Sequence, residues 1–273
     1  MPELPALSPI SNEPLSVVLL ARRTGEQDLL PLLEMWRNWL ESQKRVYELL
    51  VVVAQPCSLP EQSWYRRIVS EPGEGTQLRV GLSQAQYPLI FYTRAEPDYR
   101  PEDLGRLLEQ KMTPAGKSQP EPMIDHVHWL SACRVGMPLP LWLRVVRWLW
   151  YPVSVAFFAH RPQPMPGWVR WSRFLSSVAV WFFFGVRLHD PSCPFRLLRR
   201  DILTHIPLQS TSAFVHIELL AKANFLSCLM SEELPLNVRP GAASDEMRAI
   251  WKDAWLVLRK PTFGSGRPAS PPV

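Results

Sequence analysis

Cysteine is scarce in this 273-residue chain: Cys57, Cys133, Cys193 and Cys228 are scattered, with no C-x-x-C pair. That spacing excludes a zinc ribbon or a disulfide-stapled scaffold, and the four read as reduced thiols of a cytoplasmic protein. Long apolar runs are missing too. The two uncharged stretches, Trp148 to Ala159 and Phe174 to Val186, fall short of the ~20 residues a spanning helix needs. No basic start with an apolar run behind it opens the sequence, so nothing in it reads as a secretory signal. Lysine is absent and acid nearly so where arginine is dense: from Arg134 to Arg200 there are ten arginines, no lysine and one acid, Asp190. Trp142, Trp148, Trp150, Trp168, Trp171 and Trp181 share that window. Arginine mixed with tryptophan suits an anionic, half-apolar surface, so the segment about 138–186 is expected to form amphipathic interface helices lying on a membrane. The arginines alternate with apolar runs rather than forming a polar stripe, which argues against nucleic acid as the partner.

What remains is ample for a core. The chain is 47% hydrophobic and 20% charged, with a net charge of +5, which fits one domain over residues 15–260. Residues 1–14, rich in Pro, Ser and Glu, and 261–273, rich in Pro, Gly and Ser, are expected to be disordered tails. Leu15 to Leu20 is a short apolar run of strand type. Leu29, Leu32, Leu33, Trp36, Trp39 and Leu40 then recur at helical spacing, and Tyr47 to Val53 is a second buried strand. Strand, helix, strand with continuous apolar strands predicts an α/β fold built on a mainly parallel sheet flanked by helices. Helical signals recur over Pro60–Val69 and Thr76–Ala85, and Leu89 to Tyr92 reads as a third strand. A helix opens at Pro101-Glu102-Asp103-Leu104 with Leu104, Leu107 and Leu108 inward. Ile124 to Leu130 alternates like a strand, and so does Glu233 to Arg239, as an edge strand with Pro235. His126 and His128 lack a third ligand at a recognisable spacing and are not read as a metal site. Met247, Ile250, Trp251, Ala254, Trp255 and Leu258 predict a helix docked through that stripe on the domain or on the membrane.

The stretch Asp190-Pro191-Ser192-Cys193-Pro194-Phe195-Arg196-Leu197-Leu198-Arg199-Arg200, with the later Ile217-Glu218-Leu219-Leu220-Ala221, is the most distinctive. Glu218 falls on the stripe of Phe214, Ala221 and Phe225. A buried carboxylate needs a partner, and the Arg196, Arg199, Arg200 cluster can supply one, either as a structural ion pair or as part of a site. This stretch resembles the C-terminal half of family-2 glycosyltransferases, in the branch of dolichyl- and polyprenyl-phosphate mannosyltransferases. The resemblance spans residues 15 to 245. It implies a GT-A-like fold and transfer of a sugar from a nucleotide-sugar to a lipid phosphate at the membrane surface.

Against that family the sequence departs where chemistry is done. The acidic turns that hold the nucleotide are here Leu20-Ala21-Arg22-Arg23-Thr24 and Val53-Ala54-Gln55-Pro56, and Val or Ala accepts no hydrogen bond from a base or ribose. The family's Asp-x-Asp, which holds Mg²⁺ or Mn²⁺ against the sugar diphosphate, aligns with Arg94-Ala95-Glu96. Glu96 remains as a metal ligand, but a guanidinium at Arg94 opposes a divalent cation by several kcal/mol, even at an effective dielectric of ~20. Two readings follow. Arg94 replaces the metal on the diphosphate, or the site is degenerate and Arg94 pairs with Glu96 or Asp98. The resemblance also assigns Arg134 and Arg200 to the acceptor phosphate, Asp190 to orienting the sugar or the arginines, and Arg239 and Ser244, in Arg239-Pro240-Gly241-Ala242-Ala243-Ser244, to closing over the donor phosphates. Arg196 and Glu218 complete the candidate substrate-binding set. A non-catalytic module that binds a membrane surface or a partner protein is the competing class.

Overall fold

The computed structural model describes residues 13–21, 26–54, 60, 62–112, 121–122, 129–134, 178–186, 188, 190–226, 228, 234–236, 238 and 247–264. The expected interface helices up to residue 177, His126, His128, Gln55, Cys57, Arg239, Ser244, and the tails over 1–12 and 265–273 lie outside the described residues.

Strand β1 (Leu15–Ala21) is buried along its whole length, which is why its sequence is an unbroken apolar run. It pairs in parallel with β2 (Tyr47–Val53) on one side and β4 (Leu89–Arg94) on the other. Helix α1 (Glu26–Ser42) connects β1 to β2, and β3 (Arg66–Val69) adds in parallel outside β2. Residues 66–69 were expected to be helical. The free edge of β2 supplies a ladder for this short segment, Ile68 packs on the core beneath the sheet, and that outweighs the local preference.

Helix α2 (Glu74–Gln84) leads into β4, and α3 (Pro101–Leu108) follows it with Leu104 and Leu107 buried. β5 (Lys111–Met112) and β6 (Glu121–Pro122) form a separate two-stranded ribbon. β7 (Trp129–Arg134) comes next; of the alternation read over Ile124 to Leu130, residues 124–128 lie outside the described residues. β8 (Arg196–Arg199) runs antiparallel to both β4 and β7, and β9 (Leu234–Leu236) pairs in parallel with β7 at the edge. Among the described residues the sheet order is β3-β2-β1-β4-β8-β7-β9, with β8 alone reversed. This mixed, mostly parallel sheet flanked by helices is the predicted α/β architecture.

Two apolar layers sandwich the sheet. Val17, Leu19, Phe91, Leu197 and Leu130 face α1 and α3. Val18, Leu20, Ile90, Tyr92 and Leu198 face α2, α4 (Val215–Phe225) and α5 (Met247–Arg259). Gly81 lets α2 lie directly on the sheet, since a Cβ there would sit 2.5 Å from Val18 Cγ1 and 2.9 Å from Val52 Cγ2.

Helix α5 is rotated from the expected stripe. Val257 and Asp253 are buried, with Ile250 and Ala254 packed against the layer, while Trp251 and Trp255 are 68% and 56% exposed. Asp253 sets the rotation: one oxygen accepts Thr211 N–H (2.9 Å), Ser212 N–H (2.8 Å) and Ser212 Oγ–H (2.7 Å). Three donors on one buried carboxylate outweigh a more apolar inward face. Beyond α5, Phe263 stacks on Phe225 at 5.3 Å, Gly264 N–H donates to His205 O, and residues 261–264 therefore lie on the domain.

Candidate functional site

Strands β1, β2, β4 and β7 all end at one edge of the sheet, at Ala21, Val53, Arg94 and Arg134, and β8 begins there at Arg196. The chain builds outward from β1 through β2 to β3 and then returns to β4 on the other side of β1. The crevice at such a reversal, outside the carboxyl ends of the strands, is where open α/β sheets hold ligands. Arg94 closes β4 at that reversal.

Arg94 does not pair with Glu96 or Asp98. It grips Glu74, the first residue of α2, through two parallel bonds, Nε to Oε1 at 2.6 Å and Nη2 to Oε2 at 2.9 Å. Glu74 is fully buried, and His216 of α4 reaches its Oε1 at 2.9 Å through Nε2. Burial alone would raise the carboxyl's pKa; the His216 ring and the Arg94 guanidinium outweigh it and hold Glu74 well below the usual carboxylate range. Burial holds the imidazole below its ordinary value of 6.5 even though Glu74 acts the other way. His216 Nδ1 has no partner among the described residues, which suits a neutral ring donating through Nε2; a second buried N–H without an acceptor would cost more.

Glycine places Glu74. Gly73 has φ +128, and a Cβ there would meet Thr211 O at 2.6 Å, so only glycine lets the start of α2 press on the 210–211 backbone. Gly75 N–H donates to Thr211 O. The loop beneath is tied down by Glu218, which accepts Gln209 N–H and Ser210 N–H at 2.8 Å each and pairs with Lys222 Nζ at 2.7 Å. The partner of Glu218 is therefore Lys222, one helical turn on, and not the arginine cluster, because Glu218 is saturated by its own helix and the loop it anchors. Lys222 also donates to Pro207 O and Gln209 Oε1.

A second ion pair lies along the same edge. Arg134 holds Asp190 bidentately, Nε to Oδ2 at 2.7 Å and Nη2 to Oδ1 at 2.8 Å, and Ser192 Oγ donates to Asp190 Oδ1. Asp190 is thus the ion-pair partner of Arg134. Arg196 is fully buried: it donates to the carbonyls of Cys193, His216 and Pro191 and lies over Trp129 at 5.8 Å. With those acceptors it braces β8 against α4. Burial pushes the neighbouring Cys193 thiol up to about 11, so it is no nucleophile. Tyr99, also buried, stacks on Phe195 and feels the charges of Arg134, Arg94 and Asp190; burial keeps its phenol protonated.

Arg200 stands apart. β8 runs antiparallel to β4, so Arg200 lies at the amino end of β4, where its N–H donates to Pro88 O and its Nη1 to Gln86 O. The structure does not bring Arg200 to Arg134. Glu96 follows β4, is partly exposed, and its charge acts on Arg94.

The donor set at the end of β4 does not fit Mg²⁺ or Mn²⁺. Its first position is a guanidinium already committed to Glu74, and among the described residues no three His, Cys, Asp or Glu side chains converge to hold an ion. Val53 and Ala21 at the neighbouring strand ends offer no side-chain acceptor. Glu74, His216, Tyr99, Lys222 and Asp253 were all missed from sequence. Two carried a signal: Lys222 stands at i+4 from Glu218, and His216 lies on the same helix two residues before it.

No family model matches the chain, and no curated protein matches it in sequence. In three dimensions it is similar to mannosyl-3-phosphoglycerate synthase from Rubrobacter xylanophilus, at 15% identity over 90% of this chain and 74% of that one, with a TM-score of 0.52. It is also similar to glucosyl-3-phosphoglycerate synthase from Mycobacterium tuberculosis. The complex of that enzyme with phosphoglyceric acid matches at 15% identity over 93% and 81% of the two chains, with a TM-score of 0.54. Its complex with Mn²⁺ and uridine-diphosphate-glucose gives 15%, 93%, 80% and 0.53. These likenesses establish the GT-A-type glycosyltransferase fold.

Proposed function

We propose that this GT-A-type protein is a degenerate glycosyltransferase of the family-2 kind: it keeps the body of a nucleotide-sugar enzyme, does not perform metal-dependent transfer, and works at an anionic membrane surface. The observation that carries the reading is the bidentate Glu74–Arg94 pair at the end of β4. The M. tuberculosis neighbour was solved with Mn²⁺ and uridine-diphosphate-glucose; here the end of β4, where the family resemblance puts the metal motif, presents a cation whose charge is spent on an internal carboxylate. Arg134 and Arg196 are likewise engaged by Asp190 and by backbone carbonyls. The phosphate-bearing acceptor class rests on the Asp190–Arg200 motif, which resembles the polyprenyl-phosphate branch.

One observation favours a second reading, metal-independent transfer. The Arg94 side chain is 16% exposed, and its Nη1 takes no acceptor among the described residues, so it has N–H groups left for a diphosphate. An anionic acceptor oxygen would then attack the anomeric carbon with inversion as the bond to the nucleoside diphosphate breaks. No general base is needed, and Arg94, with Arg239 and Ser244, would steady the leaving group. Calorimetry with uridine- and guanosine-diphosphate sugars, with and without Mn²⁺, tests both. No binding in either condition supports the degenerate site; equal binding in both supports the second reading; binding that requires Mn²⁺ overturns both.

A further inference from the structure

Helix α5 presents two adjacent stripes to solvent. At 100° per residue Trp251, Trp255 and Leu258 form one, and Arg248, Arg259 and Lys252 form the next. Trp251, Trp255 and Leu258 are exposed, and Arg259 lies over the Trp255 ring at 4.2 Å. The acid described on this helix, Asp253, is turned inward and holds the 211–212 backbone, so every exposed charge described on α5 is positive. A single exposed aromatic is ordinary; two in register beside a basic row are a surface with a chemistry.

The apolar area continues beyond the helix. Phe263, just past α5, stacks on Phe225 at the end of α4, which is 69% exposed. Asn224, beside it, donates to Phe184 O at the end of the helical residues 178–184, where Phe182 and Phe183 are 75% and 55% exposed. Three helix ends thus meet with aromatic rings outward.

We propose that the outer face of α5 docks on an anionic lipid bilayer, its tryptophans in the headgroup layer and Arg248, Lys252 and Arg259 on lipid phosphates, with Phe225, Phe263, Phe182 and Phe183 extending the contact. The argument for lipid is charge complementarity combined with interfacial aromatics, the pattern of a helix lying in the membrane plane. At 13 residues α5 cannot span, and among the described residues no helix is long and apolar enough to do so. The proposal deepens the membrane-surface part of the proposed function by naming the element that lands.

Co-sedimentation of the full chain with phosphatidylcholine vesicles, with and without phosphatidylserine, tests it. Binding is expected only with phosphatidylserine and falls as salt rises from about 0.1 to about 0.5 M. Arg248→Glu with Lys252→Glu should cut it by at least about 25-fold, since each basic residue near an anionic surface is worth about fivefold. Trp251→Ser with Trp255→Ser should cut it about tenfold or more and leave the circular-dichroism melt unchanged, both side chains being exposed. If Arg144→Glu with Arg147→Glu abolishes binding and the α5 variants do not, the α5 proposal falls and the membrane reading stands. If the parent chain binds no vesicle, both fall. If the chain is a dimer that Trp251→Ser with Trp255→Ser dissociates, the face belongs to a second copy and the proposal is overturned.

Discussion

Replacing Glu74 by alanine removes the group on which Arg94 and His216 converge. The guanidinium loses two charge-assisted bonds and the fully buried imidazole loses its acceptor. Breaking a buried pair from one side costs about 3–5 kcal/mol, because a charge is left in low dielectric without its partner. For a domain of this size each kcal/mol lowers Tm by about 2–4 °C, so Glu74→Ala should lower it by roughly 6–20 °C. Removing both charges behaves differently. With Glu74→Leu and Arg94→Met together, no charge of the described pair is stranded, and of its described partners the His216 N–H alone is left unpaired, a cost of about 1–3 kcal/mol. Urea unfolding followed by circular dichroism measures both. A loss below about 1 kcal/mol for Glu74→Ala, or a double variant worse than the single, would refute the buried-pair argument and with it the case against a metal at Arg94.

Acid should destabilise the protein in two stages. His216 is held neutral below its ordinary 6.5, so the unfolded chain gains a proton that the folded one refuses as pH falls through that value. Glu74, held well below its ordinary 4.5, adds a second loss beneath that pH. Urea midpoints taken from pH 7.5 to 4 should fall across the first window in the parent and stay flat there in His216→Gln; a parent profile that is flat between pH 7 and 5 would contradict the neutral ring. Gly81→Ala should cost about 1–3 kcal/mol in the same denaturation assay, because the methyl meets Val18 and Val52 across a packed interface.

The strands that form the centre of the sheet were legible because burial on both faces writes itself as an unbroken apolar run: Leu15 to Leu20, Tyr47 to Val53, Leu89 to Tyr92. β3 was not, since Arg66-Arg67-Ile68-Val69 has no pattern of its own and becomes a strand only because β2 has an open edge. The periodicity of α5 left open whether its stripe meets the domain or a membrane, because tryptophan counts as apolar in either case, whereas one carboxylate, Asp253, decides which way the helix turns. The reversal of sign at Arg94 was visible in the chain, but its partner was not. Glu74 stands twenty residues upstream, at the start of a different helix, and only the close approach of Gly73 to Thr211 brings it there. Asp190 and Arg134 were each singled out, yet nothing in their spacing joins them across 56 residues.

The strap formed by residues 209–212 has a mechanical corollary. Thr211 offers its N–H to Asp253 on one side, and its carbonyl takes the N–H of Gly75 on the other, one residue from the carboxylate that grips Arg94. Between the tryptophan-bearing helix and the end of β4 there is thus a rigid linkage two hydrogen bonds long. Any tilt imposed on α5 must be passed along it or break it, so the tryptophan face of the molecule and the guanidinium that closes β4 are geared to each other.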